Sequence, residues 1–224
     1  MDVIWDGKDL VWAGDGKTFL RGVGEYFLNH PFFDEAFKKV LKEYRPKQNY
    51  KVCLFMVCSY GKPYSQSFIH YKILEALRKI GKTYEAIHQV IVSNVGVVPR
   101  ELEEYYPFCS YDWNPKFENK PIKKVYSKVL AERLKEYIQT FRDYYENFAC
   151  YLRWDSDSYR AVRIVEKALK IEIPNLSLPS QKIPKSQIEK VSLGIYDDED
   201  LILVTPKNLR NLCKMLLKIV RRSG

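Results

Sequence analysis

The stretch KVCLFMV at residues 51–57, followed by CSYGKPYSQ at 58–66 and a helical pattern at 67–80, decides the fold. KVCLFMV is a short unbroken apolar run, the pattern of a strand buried on both faces. It stops abruptly at Cys58-Ser59-Tyr60-Gly61-Lys62-Pro63-Tyr64, whose composition is that of a loop. Residues 67–80 then place Ile69, Ile73, Leu77 and Ile80 on one stripe, with Gly81 as a stop signal. A second apolar run at 86–92 completes strand, loop, helix, strand. That order predicts two adjacent parallel strands joined by a right-handed crossover.

Working outward, residues 31–44 carry Phe33, Phe37, Val40, Leu41 and Tyr44 at helical spacing before the breaker Arg45-Pro46. Residues 93–100 read as a loop, and a short strand is expected around 108–111. Pro121 reads as the first position of a long helix carrying Ile122, Val125, Val129, Tyr137, Phe141 and Tyr144. A strand at 148–154 opens through Asp155-Ser156-Asp157-Ser158 into a helix with Val162, Val165 and Leu169 inside. Pro174, Pro179 and Pro184 mark the edge of this core. Residues 201–204 read as a last strand, and Thr205-Pro206 starts a helix with Leu209, Leu212, Leu216 and Ile219 inward. Asp6-Gly7, Gly14-Asp15-Gly16 and Gly22-Val23-Gly24 are turn chemistry, so an N-terminal hairpin or arm is expected. The expected organisation is an arm at 1–30, an α/β domain at 31–173, and a linker, strand and helix at 174–224.

Length and composition narrow the function classes. A chain of 224 residues buries enough surface to fold without disulfides or structural metal. The hydrophobic fraction of 46% and charged fraction of 29% exclude a largely disordered chain. No apolar run approaches the ~18 residues of a membrane span, and the first residues lack a secretory pattern. A soluble, cytoplasmic protein with no membrane partner is expected. Lys and Arg total 37 against 28 acids, a net charge of +9 that favours polyanionic partners, and 17 Tyr, 11 Phe and 4 Trp supply faces able to stack on bases. The five cysteines include no CxxC pair and read as reduced, mostly buried thiols. No metal and no cofactor are expected.

In an open parallel sheet, ligands bind beyond the carboxyl ends of the strands, so the loops after Val57, Val92 and Leu152 should share one rim. The first loop has Cys58, Lys62, Pro63, Tyr64, Ser67 and His70 in the spacing C-x3-K-P-Y-x2-S-x2-H. This spacing resembles the signature of archaeosine synthase, an archaeal tRNA-modifying enzyme related to tRNA-guanine transglycosylases. Gly96-Val97-Val98-Pro99-Arg100-Glu101-Leu102-Glu103, with the following Tyr106-Pro107 and Tyr111-Asp112, resembles a second segment of the same family. His30-Pro31 and Tyr44-Arg45-Pro46 sit where that family's domain begins. The resemblance spans about residues 30–165; the family's Pro before the Cys is Val57 here.

The resemblance implies a uracil-DNA glycosylase-like fold, a three-layer α/β/α sandwich with a mainly parallel sheet. It implies binding of 7-cyano-7-deazaguanine in tRNA and conversion of its nitrile toward the archaeosine amidine, with lysine or another amine as donor. Cys58, Lys62, Ser67 and His70 become catalytic candidates, and Pro63, Tyr64, Val98, Arg100, Glu101 and Asp112 substrate-binding candidates. On physical grounds, Cys58 near a helix N-terminus and Lys62 is placed to be a thiolate; the competing reading is a small core residue. Ser67 and His70 share a helix face, and a His near a helix N-terminus is biased toward its neutral form. Lys62 and Arg100 are expected as rim cations for phosphate, with Lys218, Arg221 and Arg222 from the C-terminus. Asp155 is a reserve acid. A glycosylase is disfavoured, because the first loop carries Lys62 where such enzymes place a water-orienting acid, and the last His is His88. Two readings stay open: an archaeosine synthase-type transferase, or a noncatalytic nucleic-acid-binding module. Either would work with a partner subunit supplying the transglycosylase or tRNA-binding parts.

Overall fold

The computed structural model describes residues 18–192 and 198–222. In chain order its elements are β1 (Leu20–Arg21), α1 (Glu25–Leu28), α2 (Pro31–Glu43), β2 (Tyr50–Val57), α3 (Phe68–Arg78), β3 (Ile87–Ser93), β4 (Gly96–Pro99), β5 (Tyr111–Asp112), α4 (Lys120–Phe141), β6 (Tyr145–Tyr151), α5 (Asp157–Leu169), α6 (Lys185–Ser192) and α7 (Pro206–Arg222). The main sheet has the order β4-β3-β2-β6. As the βαβ pattern requires, β2 and β3 are adjacent and parallel, from Val52 opposite Ile87 to Val57 opposite Val92. β6 adds in parallel on the other side of β2.

Side-chain alternation along the strands separates two helical layers. Phe55 is in register with Val90 and Cys150, and its ring lies 6.4 Å from Tyr137 of α4, on the face that Cys150 turns toward Arg163 and Glu166 of α5. The next residue, Met56, is in register with Ile91 and Tyr151 and faces the other way. There its sulfur lies 3.8 Å from Arg100, which holds His70 of α3, and the Tyr151 hydroxyl donates to the Leu203 carbonyl at 2.5 Å. The protein is thus an α/β fold with helices on both faces of a mixed sheet. Residues 174–176 run along the outer edge of β6. Cys150 N–H donates to Pro174 O at 2.9 Å and Leu176 N–H to Cys150 O at 2.7 Å, which covers an otherwise open strand edge.

Several expectations change. The segment after β3, expected as a loop, turns back as β4 and pairs antiparallel with β3, so the sheet is mixed. Gly96 makes that reversal at φ 132°, a conformation that favours glycine. The expected strand at 201–204 is part of the 3₁₀ turn Glu199–Val204: all four residues are buried, and a short apolar run does not distinguish the two conformations. The last parallel strand is Tyr145–Tyr151 rather than 148–154, because the backbone leaves the ladder before Leu152. Asn119 caps α4 by accepting from Ile122 N–H at 2.9 Å, which makes Pro121 the second helical residue. Of the expected N-terminal hairpin, residues 1–17 lie outside the described residues. Beyond them Leu20–Arg21 pairs in parallel with Tyr111–Asp112, and Glu25–Leu28 is a helical turn. Among the described residues no helix is long and apolar enough to cross a membrane.

Candidate functional site

The loop after β2 folds back over its own strand end. Lys62 Nζ donates to Ser59 O at 2.8 Å and Tyr60 O at 3.1 Å. The same ammonium sits 4.1 Å from the ring centre of Tyr111 and 5.4 Å from that of Tyr64, a cation held between aromatic faces. Burial lowers its pKa while the neighbouring Cys58 and Asp112 oppose that shift. Tyr64 is fully buried, its hydroxyl 2.8 Å from that of Tyr111, and Pro63 is half-buried. Ser67 caps α3, accepting from His70 N–H at 3.3 Å and donating to Tyr64 O at 2.7 Å. At Gly61 a Cβ would stand 3.2 Å from that of Ser67, a tight approach. Ser67 and Tyr64 therefore shape the loop from inside, and Lys62 is no free rim cation.

His70 and Arg100 do meet, but inside the protein. His70 is fully buried. Its Nε2 lies 2.8 Å from Val57 O and must donate to it, so Nδ1 is the acceptor, taking a 2.7 Å bond from Arg100 Nη2. Burial, then the Arg100 charge, pushes its pKa well down, and the ring is neutral as expected. With both nitrogens occupied it positions Arg100 instead of shuttling protons. Arg100 also pairs with Glu103 at 2.7 Å, and Glu103 accepts from Ser65 N–H at 3.0 Å. The expected rim arginine is thus the centre of a buried network tying the Cys58 loop to the turn after β4. Val98 lies in the core, fully buried, out of reach of any ligand. Because β4 runs backward along β3, Glu101 lands at the opposite end of the sheet. It accepts from the Tyr44 hydroxyl at 2.6 Å and lies 3.1 Å from His88 Nε2.

What remains at the carboxyl ends of the strands is a cleft and a polar cluster. The cleft, about 540 Å³, is lined by Arg21, Gly22, Val23, Tyr60, Asp112, Asn114 and Phe117. Tyr60 is 73% and Phe117 71% exposed. Asp112 Oδ2 pairs with Arg21 Nε at 3.2 Å, whereas Oδ1 is buried and makes no hydrogen bond. At the end of β2, the Cys58 sulfur lies 3.9 Å from Asn94 Oδ1 in the turn after β3. Burial pushes the Cys58 thiol up to about 11, outweighing the pull of Lys62, so it is protonated and not the expected thiolate. After β6, Arg153 binds Asp155 at 3.0 Å, Glu199 at 2.7 Å and Asp200 at 3.3 Å. Burial raises Asp200 to about 6 despite Arg153, and Asp200 and Asp198 both act electrostatically on Cys58. Among the described residues no group of three or more His, Cys, Asp or Glu is placed to hold a metal.

Of the residues expected at the rim, the structure brings Cys58, Lys62 and Asp112 to it, with Asp155 on the Arg153 cluster. Reasoning from sequence missed Tyr60, Phe117, Arg21, Asn94, Arg153 and Asp200. An exposed Tyr beside Gly61 and the acidic run at 197–200 were visible signals, but both also read as ordinary loop chemistry.

Comparisons with known proteins bear on this geometry. A family model described as "Domain of unknown function (DUF5591)" matches residues 34–178. Archaeosine synthase subunit alpha of Thermoplasma acidophilum is 40% identical over 77 residues, covering 34% of this chain and 14% of that protein. The Methanosarcina acetivorans protein of the same name is 40% identical over 76 residues, covering 34% and 12%. The matched stretch is thus a small part of these relatives. A crystal structure of AF0587, a protein of unknown function, aligns with a TM-score of 0.49 and 18% identity, covering 80% of this chain and 48% of that one. With the family model spanning 145 of its residues, from 34 to 178, the chain belongs to the DUF5591 family and carries an archaeosine synthase-like domain.

Proposed function

We propose that this chain acts in archaeosine modification of tRNA, holding 7-cyano-7-deazaguanine in the Tyr60–Phe117 cleft and promoting addition of an amine to its nitrile. The observation that carries the reading is Asp112, which lines a cleft with two exposed aromatic rings and whose buried Oδ1 lacks a hydrogen-bond partner. A guanine-type edge presents adjacent N–H donors, which a carboxylate accepts, and its plane stacks on aromatic faces. In the addition, the amine lone pair forms the C–N bond and a π pair moves to the nitrile nitrogen. That nitrogen gains a proton, the amine loses one, and nothing leaves. Asp200, with its pKa near neutrality, suits the proton-accepting role. Cys58, protonated at neutral pH, suits hydrogen donation to the developing anionic nitrogen. Lysine or another amine is the donor the family resemblance implies.

This reading includes a uracil-DNA glycosylase-like fold for residues 31–173, with 174–224 as a C-terminal extension, and a cytoplasmic setting. It also includes partner subunits, consistent with relatives named as a subunit alpha, of which the chain matches 14% and 12%. A noncatalytic module is the second reading, favoured by His70, both of whose nitrogens are occupied.

The test is binding and turnover on tRNA carrying the nitrile base. The full chain should bind it at least about tenfold tighter than the unmodified transcript, the worth of one or two base-edge contacts. Asp112→Asn should remove that preference. No preference in the wild type would overturn the base-holding reading. Preference without nucleoside product by mass spectrometry, with lysine and partner subunits present, would establish the noncatalytic module.

A further inference from the structure

Helix α7 carries one line of cations on its outer face. Lys207, Arg210, Lys214, Lys218 and Arg221 are all exposed and recur every three or four residues. At 100° per residue they fall within an arc of about 80°, one per turn, over about 21 Å of helix. The opposite face is fixed: Leu212 and Leu216 are fully buried, and buried Asn208 accepts from Leu178 N–H at 2.6 Å and donates to Ile202 O at 2.8 Å. The stripe is therefore held toward solvent.

Several cations on other helices are paired within their own helix. Lys72 and Lys79 pair with Glu75, Arg160 with Asp157 and Arg163 with Glu166, all at i,i+3 or i,i+4. Residues 206–222 contain no acid. Among the described residues, no ion pair involves Arg210, Lys214, Lys218 or Arg221, and Lys207 Nζ donates only to the Lys182 carbonyl, at 2.6 Å. Like charges at i,i+4 on a helix destabilise it slightly, so the stripe is unfavourable for the isolated protein and becomes favourable against a polyanion.

We propose that this stripe binds the phosphate backbone of RNA, an inference that rests on the tRNA reading above and adds the surface that holds the tRNA. It replaces Lys62 and Arg100, which the structure consumes internally. An anionic membrane is a poorer match, because the apolar face such a helix would insert is already occupied by the core. The stripe also begins near the Arg153–Asp200 cluster, because α7 follows directly from the turn carrying Asp200.

The test measures affinity of the full chain for an unmodified tRNA transcript against salt concentration. Replacing Arg210, Lys214, Lys218 and Arg221 by Gln should reduce the slope of log K on log salt by about 3, at ~0.7–0.9 per phosphate contact. A control replacing the exposed Lys120, Lys124, Lys128 and Lys135 of α4 by Gln removes the same charge and should leave the slope unchanged. Thermal melts establish that both variants fold. An unchanged slope in the α7 variant, or equal losses in both, would overturn the proposal. So would loss of binding to phosphatidylserine vesicles in place of RNA. Because the transcript lacks the modified base, the outcome is independent of the Asp112 cleft, and a failure of the base reading leaves the slope comparison intact.

Discussion

At the scale of single residues, Arg100 carries more structural weight than its place in the motif indicates. It is the ion-pair partner of buried Glu103 and also holds neutral His70, so removing it leaves a carboxylate that is 5% exposed without its countercharge. Breaking a buried pair from one side costs about 3–5 kcal/mol. Arg100→Ala should lower the unfolding free energy in urea by about that amount, whereas Arg100→Ala combined with Glu103→Gln should recover part of it. A loss below about 1 kcal/mol would mean that the network is solvated. The residue types and spacing of both motifs were legible in the sequence, and they do lie close in space. The direction each side chain takes was not. Pro99, Arg100 and Glu101 read as a rim because nothing in the apolar run Val97-Val98 announces that it pairs backward along β3.

The same distinction between type and direction operates at the level of elements. Strand β2, helix α3 and strand β3 were legible to within one or two residues, since buried parallel strands leave continuous apolar runs and amphipathic helices a clear stripe. The turn Glu199–Val204 was not, because burial alone produced its pattern. Ser67 illustrates a motif residue whose role belongs to its element. As the N-cap of α3 it satisfies an otherwise unpaired N–H and anchors the loop through Tyr64 O. Ser67→Ala should cost about 0.5–2 kcal/mol of stability, and Ser67→Asn or Asp, which also cap, should cost less. A chemical role would reverse the pattern: activity would fall equally in all three variants while thermal stability stayed at the wild-type level.

Across the whole molecule, two carboxylates at opposite ends of the sheet set opposite pH dependences. Glu101, at the amino ends of the strands, joins Tyr44 at the end of α2 to His88 of β3, whose Nδ1 lies 2.6 Å from the Tyr145 hydroxyl of β6. Burial works against its charge, but the bonds from His88 and Tyr44 hold it down to about 2 from an ordinary 4.5. Its unfolded form binds more protons between those values, so its contribution is complete above pH 4.5 and is lost as pH falls toward 2. Asp200, at the carboxyl ends, is raised by burial to about 6 from an ordinary 3.8. Its folded form holds the proton more tightly, so stability it contributes below pH 3.8 is lost as pH rises through 6. At neutral pH the fold therefore carries an ionised Asp200 at a cost. Asp200→Asn removes the charge that burial opposes, and Arg153 keeps Asp155 and Glu199 as partners. The variant should melt at a higher temperature than wild type at pH 8 and lose that advantage at pH 4. An acid placed where its ionisation weakens the fold is a candidate functional group. An Asp200→Asn protein that is less stable at pH 8 than at pH 4, relative to wild type, would instead make Asp200 a structural partner of Arg153 and remove it from the proposed chemistry.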